Sequence, residues 1–132
     1  MSTPTANHQQ LKTLTTALRD VHRQLTEITK LEYERESGSE IDAAHLLQLL
    51  TKDSRFDWLH ELSEFIVVVD ELLDQEGITD EDVRGILVNA RTLITPEEGA
   101  DSRFYRRYVG YLQHHPALTM AHANLRKILK NP

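Results

Sequence analysis

Histidine and carboxylate side chains at helical spacing are the residues of this sequence that could carry chemistry. Asp57, His60, Glu61 and Glu64 stand at positions i, i+3, i+4 and i+7, which places all four on one face of a helix. The pair His60-Glu61 begins like the zinc-binding pattern His-Glu-x-x-His, but Glu64 occupies the position of the second histidine ligand. A metal site built on His60 and Glu64 would therefore need a further ligand from the last helix, where three histidines are available: His114, His115 and His122.

The competing interpretation of this set is a solvated polar helix face without any ligand. No nucleophile stands at motif spacing from a histidine or an acid, the glycines form no phosphate-binding loop, and the chain has no cysteine. We therefore expect no cofactor, and we keep a divalent metal held by His60, Glu64, His115 and His122 as the alternative.

A second segment, Arg103 to Tyr111, interleaves arginines with aromatic residues. This mixture can follow phosphates while stacking on bases, but the helical spacing of Phe104 and Tyr108 favours a buried aromatic face with the arginines on its flank. The formal net charge of −6 also disfavours a nucleic-acid partner. The arginines then line the flank of the helix as ordinary solvated charges, and Arg103, Arg106 and Arg107 are kept as candidates for a contact with another protein.

The helix that carries His60 and Glu64 is apolar on more than one side. Its stripe at helical spacing consists of Trp58, Leu62, Phe65, Ile66, Val69, Leu72 and Leu73. Val67 and Val68 fall on the opposite side and need a second partner surface. The pattern predicts a central helix, and the two valines are covered either by the first helix or by another molecule.

The other elements also follow a helical period. After a flexible arm over residues 1–7, a heptad seam predicts a long first helix through Leu11, Leu14, Leu18, Val21, Leu25 and Ile28. Ser39 with Asp42 resembles a capping box ahead of a short helix, and Thr79 is the expected cap of a later one. A last helical region breaks at Pro116 and then resumes.

These elements predict an all-α fold, an antiparallel (up-down) four-helix bundle with a short extra helix between helices 1 and 2. The length of 132 residues fits a single domain over residues 1–132. Hydrophobic residues make up 39% and charged residues 27%, a composition typical of folded soluble proteins. Neither a secretory signal nor a membrane-length apolar run is present, so we expect a cytoplasmic protein without membrane contact.

Two stretches carry a resemblance to known proteins. The first is Asp53-Ser54-Arg55-Phe56-Asp57-Trp58-Leu59 with the later Val69-Asp70-Glu71-Leu72-Leu73, and the second is His115-Pro116-Ala117 with Ala121-His122-Ala123-Asn124-Leu125-Arg126. With these stretches the chain resembles small all-helical bacterial proteins that have no assigned activity. The resemblance implies a helical bundle and transfers no site residue.

The functional expectation rests on apolar surface beyond what the core needs, above all Val67 and Val68. We expect a non-catalytic protein–protein interaction or self-associating module, whose partner is a second copy in a homodimer or another protein. Its predicted interaction surface comprises Val67, Val68, Arg103, Arg106 and Arg107. The alternative is a small metal-binding or metal-dependent helical bundle that uses His60, Glu64 and a histidine of the last helix.

Overall fold

The computed structural model describes residues 4–95 and 103–130, and within these ranges the chain is helical without any strand. The predicted all-α class is thereby confirmed. A 3-10 turn, Ser54–Leu59, leads directly into the third helix. The six α-helices are α1 (Pro4–Ser37), α2 (Ala43–Lys52), α3 (His60–Leu73), α4 (Asp80–Ile94), α5 (Arg103–Leu112) and α6 (Pro116–Lys130).

Helix α1 is the central element of the fold. It packs against α3, α4, α6 and the 3-10 turn, and with 34 residues it is about 51 Å long. Every residue of the predicted heptad seam is buried: Leu11, Leu14, Leu18, Val21, Leu25 and Ile28. The prediction that the helix of residues 56–73, which corresponds to the 3-10 turn and α3, is central is wrong. The long seam of α1 packs against more elements than the shorter stripe of α3 does.

The start of α1 differs from the predicted arm. Pro4 opens the helix, in the first-turn position where its missing N–H costs nothing. Asn7, assigned to the arm from the sequence, is only 3% exposed. Its side-chain amide donates to the carbonyl oxygen of Ile78 at 2.9 Å and to Oδ1 of Asp80 at 3.0 Å. Residues 4–7 are therefore helical and Asn7 is packed, while residues 1–3 of the predicted arm lie outside the described residues.

Between α1 and α3 the chain uses two carboxylates as helix caps. Asp42 caps α2 by accepting a hydrogen bond from the backbone N–H of His45 at 2.8 Å. The predicted capping box from Ser39 is wrong, because Ser39 precedes the cap by three residues. Asp53 accepts from the N–H of Arg55 at 2.8 Å and starts the 3-10 turn, which places Phe56, Trp58 and Leu59 in the core.

The second half of the fold follows its sequence signals closely. Gly77, with φ of +74°, ends the turn after α3 in the left-handed region that glycine tolerates. Thr79 caps α4 as predicted, in a reciprocal capping box with Asp82. Pro116 begins α6 after the predicted break. Among the described helices, none is both long and apolar enough to cross a bilayer.

Candidate functional site

Helix α3 presents one uncovered face, which consists of Glu64, Val67, Val68 and Glu71 and is called the α3 face below. Their spacing of i, i+3, i+4 and i+7 places the four side chains on one side of the helix. Val67 is 52% exposed and Val68 51%, and both glutamates are exposed. The face is thus a pair of solvent-facing valines between two carboxylates.

The opposite side of α3 explains why this face is open. Leu62, Ile66 and Val69 are buried, and the main neighbours of the helix among the described elements are α1 and the 3-10 turn. Phe65 and Leu72 are only partly buried beside Val68 and extend the apolar strip. Because α1 packs on the far side of α3, the alternative in which the first helix covers the two valines is wrong.

A carboxylate of α3 fixes that helix on α1. Oδ1 of Asp70 accepts a hydrogen bond from the hydroxyl of Thr15 at 3.1 Å, and its other oxygen forms an ion pair with Arg19. Thr15 is 6% exposed, so its hydroxyl depends on this partner rather than on water. These contacts set the rotation of α3 and thereby direct the α3 face away from α1.

A serine and a histidine meet in the same helix contact. Nε2 of His22 lies 2.7 Å from Oγ of Ser63, a distance that a nucleophile and its base would also adopt. The hydroxyl of Ser63 donates to the carbonyl oxygen of Leu59 at 3.2 Å, however, and the hydroxyl of Thr26 stands 3.4 Å from Nδ1 where an acid would be needed. The pair therefore joins α1 to α3, and burial together with the charge of Arg19 lowers the pKa of His22.

The predicted metal ligands are engaged elsewhere. His60 Nε2 donates to the carbonyl oxygen of Leu50 at 3.1 Å, and His115 packs its ring against that of Tyr111. His122 shares a 2.6 Å hydrogen bond with the hydroxyl of Tyr108, and its pKa is lowered by burial and by Arg126. Within residues 4–95 and 103–130, no three His, Asp or Glu side chains are placed to hold a metal ion. The structure does not assemble the predicted set of His60, Glu64, His115 and His122.

The basic and aromatic residues of α5 separate into two faces. Phe104 and Tyr108 are fully buried, while Arg103, Arg106 and Arg107 are exposed. The guanidinium of Arg107 lies 5.4 Å from the ring centroid of Trp58, in a cation–π contact. Arg107 thus also packs on its own chain, and all three arginines are exposed on the flank of α5, so the contact surface proposed there stays a prediction.

Trp58 is the centre of an aromatic joint between the 3-10 turn and α5. Its ring stacks on Phe104 with centroids 5.6 Å apart and tilts against Tyr111 at 5.7 Å. The hydroxyl of Tyr111 donates to Oε2 of Glu32 at 3.0 Å, which connects α5 to α1, and burial raises the pKa of Tyr111. Among the described side chains, the indole N–H of Trp58 is a buried donor without a hydrogen-bond partner.

A groove of about 940 Å³ runs between α1 and α6, and the sequence analysis does not anticipate it. Its lining carries four cationic side chains, Lys12, Arg19, Arg23 and Lys127, against the single carboxylate of Asp20. The lining therefore has a net charge of +3 on a chain whose formal charge is −6. The signal in the sequence is the spacing of Lys12, Arg19 and Arg23 along α1, but only the position of α6 turns that spacing into a groove.

Over residues 4–95 and 103–130, the geometry defines an all-helical protein with an exposed apolar face on α3 and a cationic groove between α1 and α6. Comparisons of the chain with protein-family models, with curated proteins and with solved structures find no match. The resemblance to small bacterial proteins without an assigned activity therefore stays a prediction.

Proposed function

We propose that this chain is a non-catalytic protein–protein interaction module that contacts its partner through the α3 face. The observation that carries the proposal is the half-exposed pair Val67 and Val68 on a helix whose opposite side is already buried. Removing apolar surface from water is favourable by about 25 cal/mol per Å², and the two exposed valines do not gain this free energy in the isolated chain. A partner that covers the pair recovers this free energy.

The chemistry of the partner surface follows from the charges on the α3 face. Glu64 and Glu71 flank the valines at one helical turn on either side, and within the described residues neither forms an ion pair with a neighbour. Covering the valines brings these carboxylates next to the partner, where an opposite charge is required to avoid repulsion. The expected partner surface is apolar at its centre and cationic at its rim, on a second copy or on another protein.

The size of the face sets the strength of the contact. Two half-exposed valines with the partly exposed Phe65 and Leu72 form a small patch compared with the roughly 1,200 Å² at which stable interfaces begin. The association is therefore weak and reversible at each contact. Such a module gains strength from repetition or from additional contacts.

We further propose that the helices are arranged as an antiparallel, up-down bundle in which α1, α3, α4 and the α5–α6 pair are the four main helices. The short connection over residues 113–115 supports this arrangement, because short links join antiparallel neighbours and α5 packs against α6. In this arrangement α2 is the extra helix between helices 1 and 2. The cytoplasmic location and the bacterial origin stay predictions.

Site-specific photo-crosslinking tests the interaction module. We would replace Val67 with p-benzoylphenylalanine, and in a matched variant Val88 of α4, which is 48% exposed. We expect ultraviolet light to yield an adduct of defined mass from position 67, in cells and with purified protein. If the partner is another protein, an excess of the unmodified chain should compete the adduct away; if the partner is a second copy, the unmodified chain should itself be captured in the adduct.

Two further substitutions in the chain that carries the crosslinker at position 67 supply the second control. Glu64→Lys with Glu71→Lys should weaken the adduct at position 67, because the carboxylates define the partner's charge. Equal adducts from positions 67 and 88 would mean that the crosslinker reports accessibility alone. That result, or the absence of any adduct at position 67, would refute the proposed function.

A further inference from the structure

The groove between α1 and α6 is lined by lysines that form no ion pair within the described residues. Arg19 pairs with Asp70 and Arg23 pairs with Asp20, but no ion pair among the described residues uses Lys12 or Lys127. The side chain of Arg19 is still 58% exposed in its pair. Lys12, Arg19 and Lys127 are thus available to an anionic surface that enters the groove.

The lining of the groove is not purely charged. Ile128 of α6 contributes a half-buried apolar side chain, and Thr16 and Asn124 contribute polar groups from the two walls. A ligand that carries only phosphates would make no apolar contact with Ile128. A helix face that combines apolar groups with carboxylates matches the lining better.

The α3 face has this combination at the same spacing. Glu64 and Glu71 are seven residues apart, as are Lys12 and Arg19, and both intervals correspond to about 10.5 Å along a helix. A helix laid along α1 can therefore place both carboxylates next to cations at once. Val67 and Val68 lie between the two carboxylates in sequence, where they meet the apolar part of the lining.

We propose that the groove binds the α3 face of a second copy of this chain, which makes the self-association head-to-tail. The inference rests on the proposed function and names its partner. Groove and α3 face are different surfaces of one chain, so a bound pair of copies keeps one free groove and one free α3 face. Contacts of this heterologous type continue into rings or open chains unless the rotation between copies closes them.

The charge of the whole chain favours a second copy over a nucleic acid. At a formal net charge of −6, the chain repels a long polyphosphate as soon as its groove has been filled. A copy of the same chain carries the same net charge of −6, but it offers its carboxylates locally on one helix and spreads its other charges away from the contact, whereas a polyphosphate continues its charge along its whole length. The pairing is electrostatic at its rim, so added salt weakens it.

Charge reversal on the two surfaces tests the head-to-tail contact by sedimentation velocity over a range of protein concentrations. The groove variant is Lys12→Glu with Lys127→Glu, and the face variant is Glu64→Lys with Glu71→Lys. We expect each alone to weaken association about tenfold or more, because like charges then meet in the contact. An equimolar mixture of the two variants should associate again, as should a single chain that carries all four substitutions.

The control is Lys52→Glu with Lys130→Glu, which makes the same charge change at exposed helix ends. This variant should associate like the unmodified chain, and circular dichroism should show unchanged helix content in every variant. If the groove variant still associates normally while the face variant does not, the α3 face binds a surface of the second copy other than the groove. The inference is then wrong, and the proposed function stands.

Two other outcomes also overturn the inference. An unmodified chain that stays monomeric at every concentration excludes self-association, and crosslinking from position 67 then decides the proposed function by itself. A groove variant that loses binding to a mixed oligonucleotide at low salt, but keeps its self-association, assigns the groove to a polyanion.

Discussion

Buried polar side chains specify how α3 sits on α1. The leucines of the seam supply most of the buried area, but hydrocarbon contacts tolerate sliding and rotation. Thr15 of α1 pairs with Asp70 of α3, and His22 of α1 pairs with Ser63 of α3. A shifted helix would leave these groups without partners, at a cost of about 1–3 kcal/mol each. The orientation of the α3 face is therefore determined at the scale of single residues.

His22 makes the stability of the chain depend on pH. Its pKa is lowered in the folded state by burial and by Arg19, so the unfolded chain takes up the proton first as the pH falls through 6.5. The stabilisation is complete above that pH and is lost progressively down to the folded pKa, below which no more is lost. We expect urea unfolding to show a lower free energy at pH about 5.5 than at pH about 7.5.

Variants isolate the contribution of His22. His22→Gln keeps a donor for Ser63 but does not titrate, so its stability should fall less between the two pH values. His122→Gln should act in the same direction, because burial and Arg126 lower the pKa of His122 as well. An unchanged slope in His22→Gln would contradict this account.

Elements could be read from the sequence because their signals are local. The seam of α1 from Leu11 to Ile28 is buried throughout, and the cap at Thr79 lies where its side chain predicts. Such features depend on neighbours within one or two helical turns. The helical content and most element boundaries were therefore predictable.

The packing of the elements was not predictable in the same way. The apolar stripe on α3 and the two valines opposite it show that the helix has two apolar sides. The periodicity of the sequence does not say whether the side with the valines is covered by another helix of the same chain or by a partner protein. The same limit applies to His60 and His122, whose distance depends on how α6 lies against α3. The groove at Lys12 and Lys127 also forms only when α1 and α6 come together.

Asn7 links the start of α1 to the connection between α3 and α4. Substituting Asn7→Ala removes both hydrogen bonds of the side-chain amide and leaves the carbonyl of Ile78 buried without its donor. We expect the free energy of unfolding to fall by about 1–3 kcal/mol. Urea denaturation measures this loss, and amide exchange should become faster in the first turn of α4, beside Asp80.

The adjacent residue provides the control for Asn7. His8 is exposed on the same turn of α1, and His8→Ala should change the stability by no more than about 0.5 kcal/mol. A small effect of Asn7→Ala, similar to that of His8→Ala, would show that the first turn of α1 is not tied to residues 78–80.

At the scale of the whole molecule, one helix serves as the common support. Helices α3, α4 and α6 and the 3-10 turn all pack on α1, so none of them keeps its buried face if α1 leaves. The same helix also carries one wall of the cationic groove, while α3, fixed on α1, carries the anionic face. Folding and the proposed assembly are therefore coupled through α1.

This architecture predicts that the chain unfolds as one unit. Leu18→Ala removes a fully buried side chain from the middle of α1 and should lower the free energy of unfolding by about 2–5 kcal/mol. Trp58, the single tryptophan, reports on the 3-10 turn and α5 by fluorescence, whereas circular dichroism reports on every helix. We expect both probes to shift to the same lower urea midpoint.

Coincidence of the two probes is the decisive part of this prediction. If the aromatic joint around Trp58 were a separately stable unit, Leu18→Ala would lower the midpoint seen by circular dichroism and leave the fluorescence midpoint in place. Leu47→Ala, at a position that is 64% exposed on α2, should shift neither midpoint by more than the equivalent of about 0.5 kcal/mol. Because α1 contacts the 3-10 turn directly, loss of its packing must reach Trp58, and the two transitions should remain superimposed.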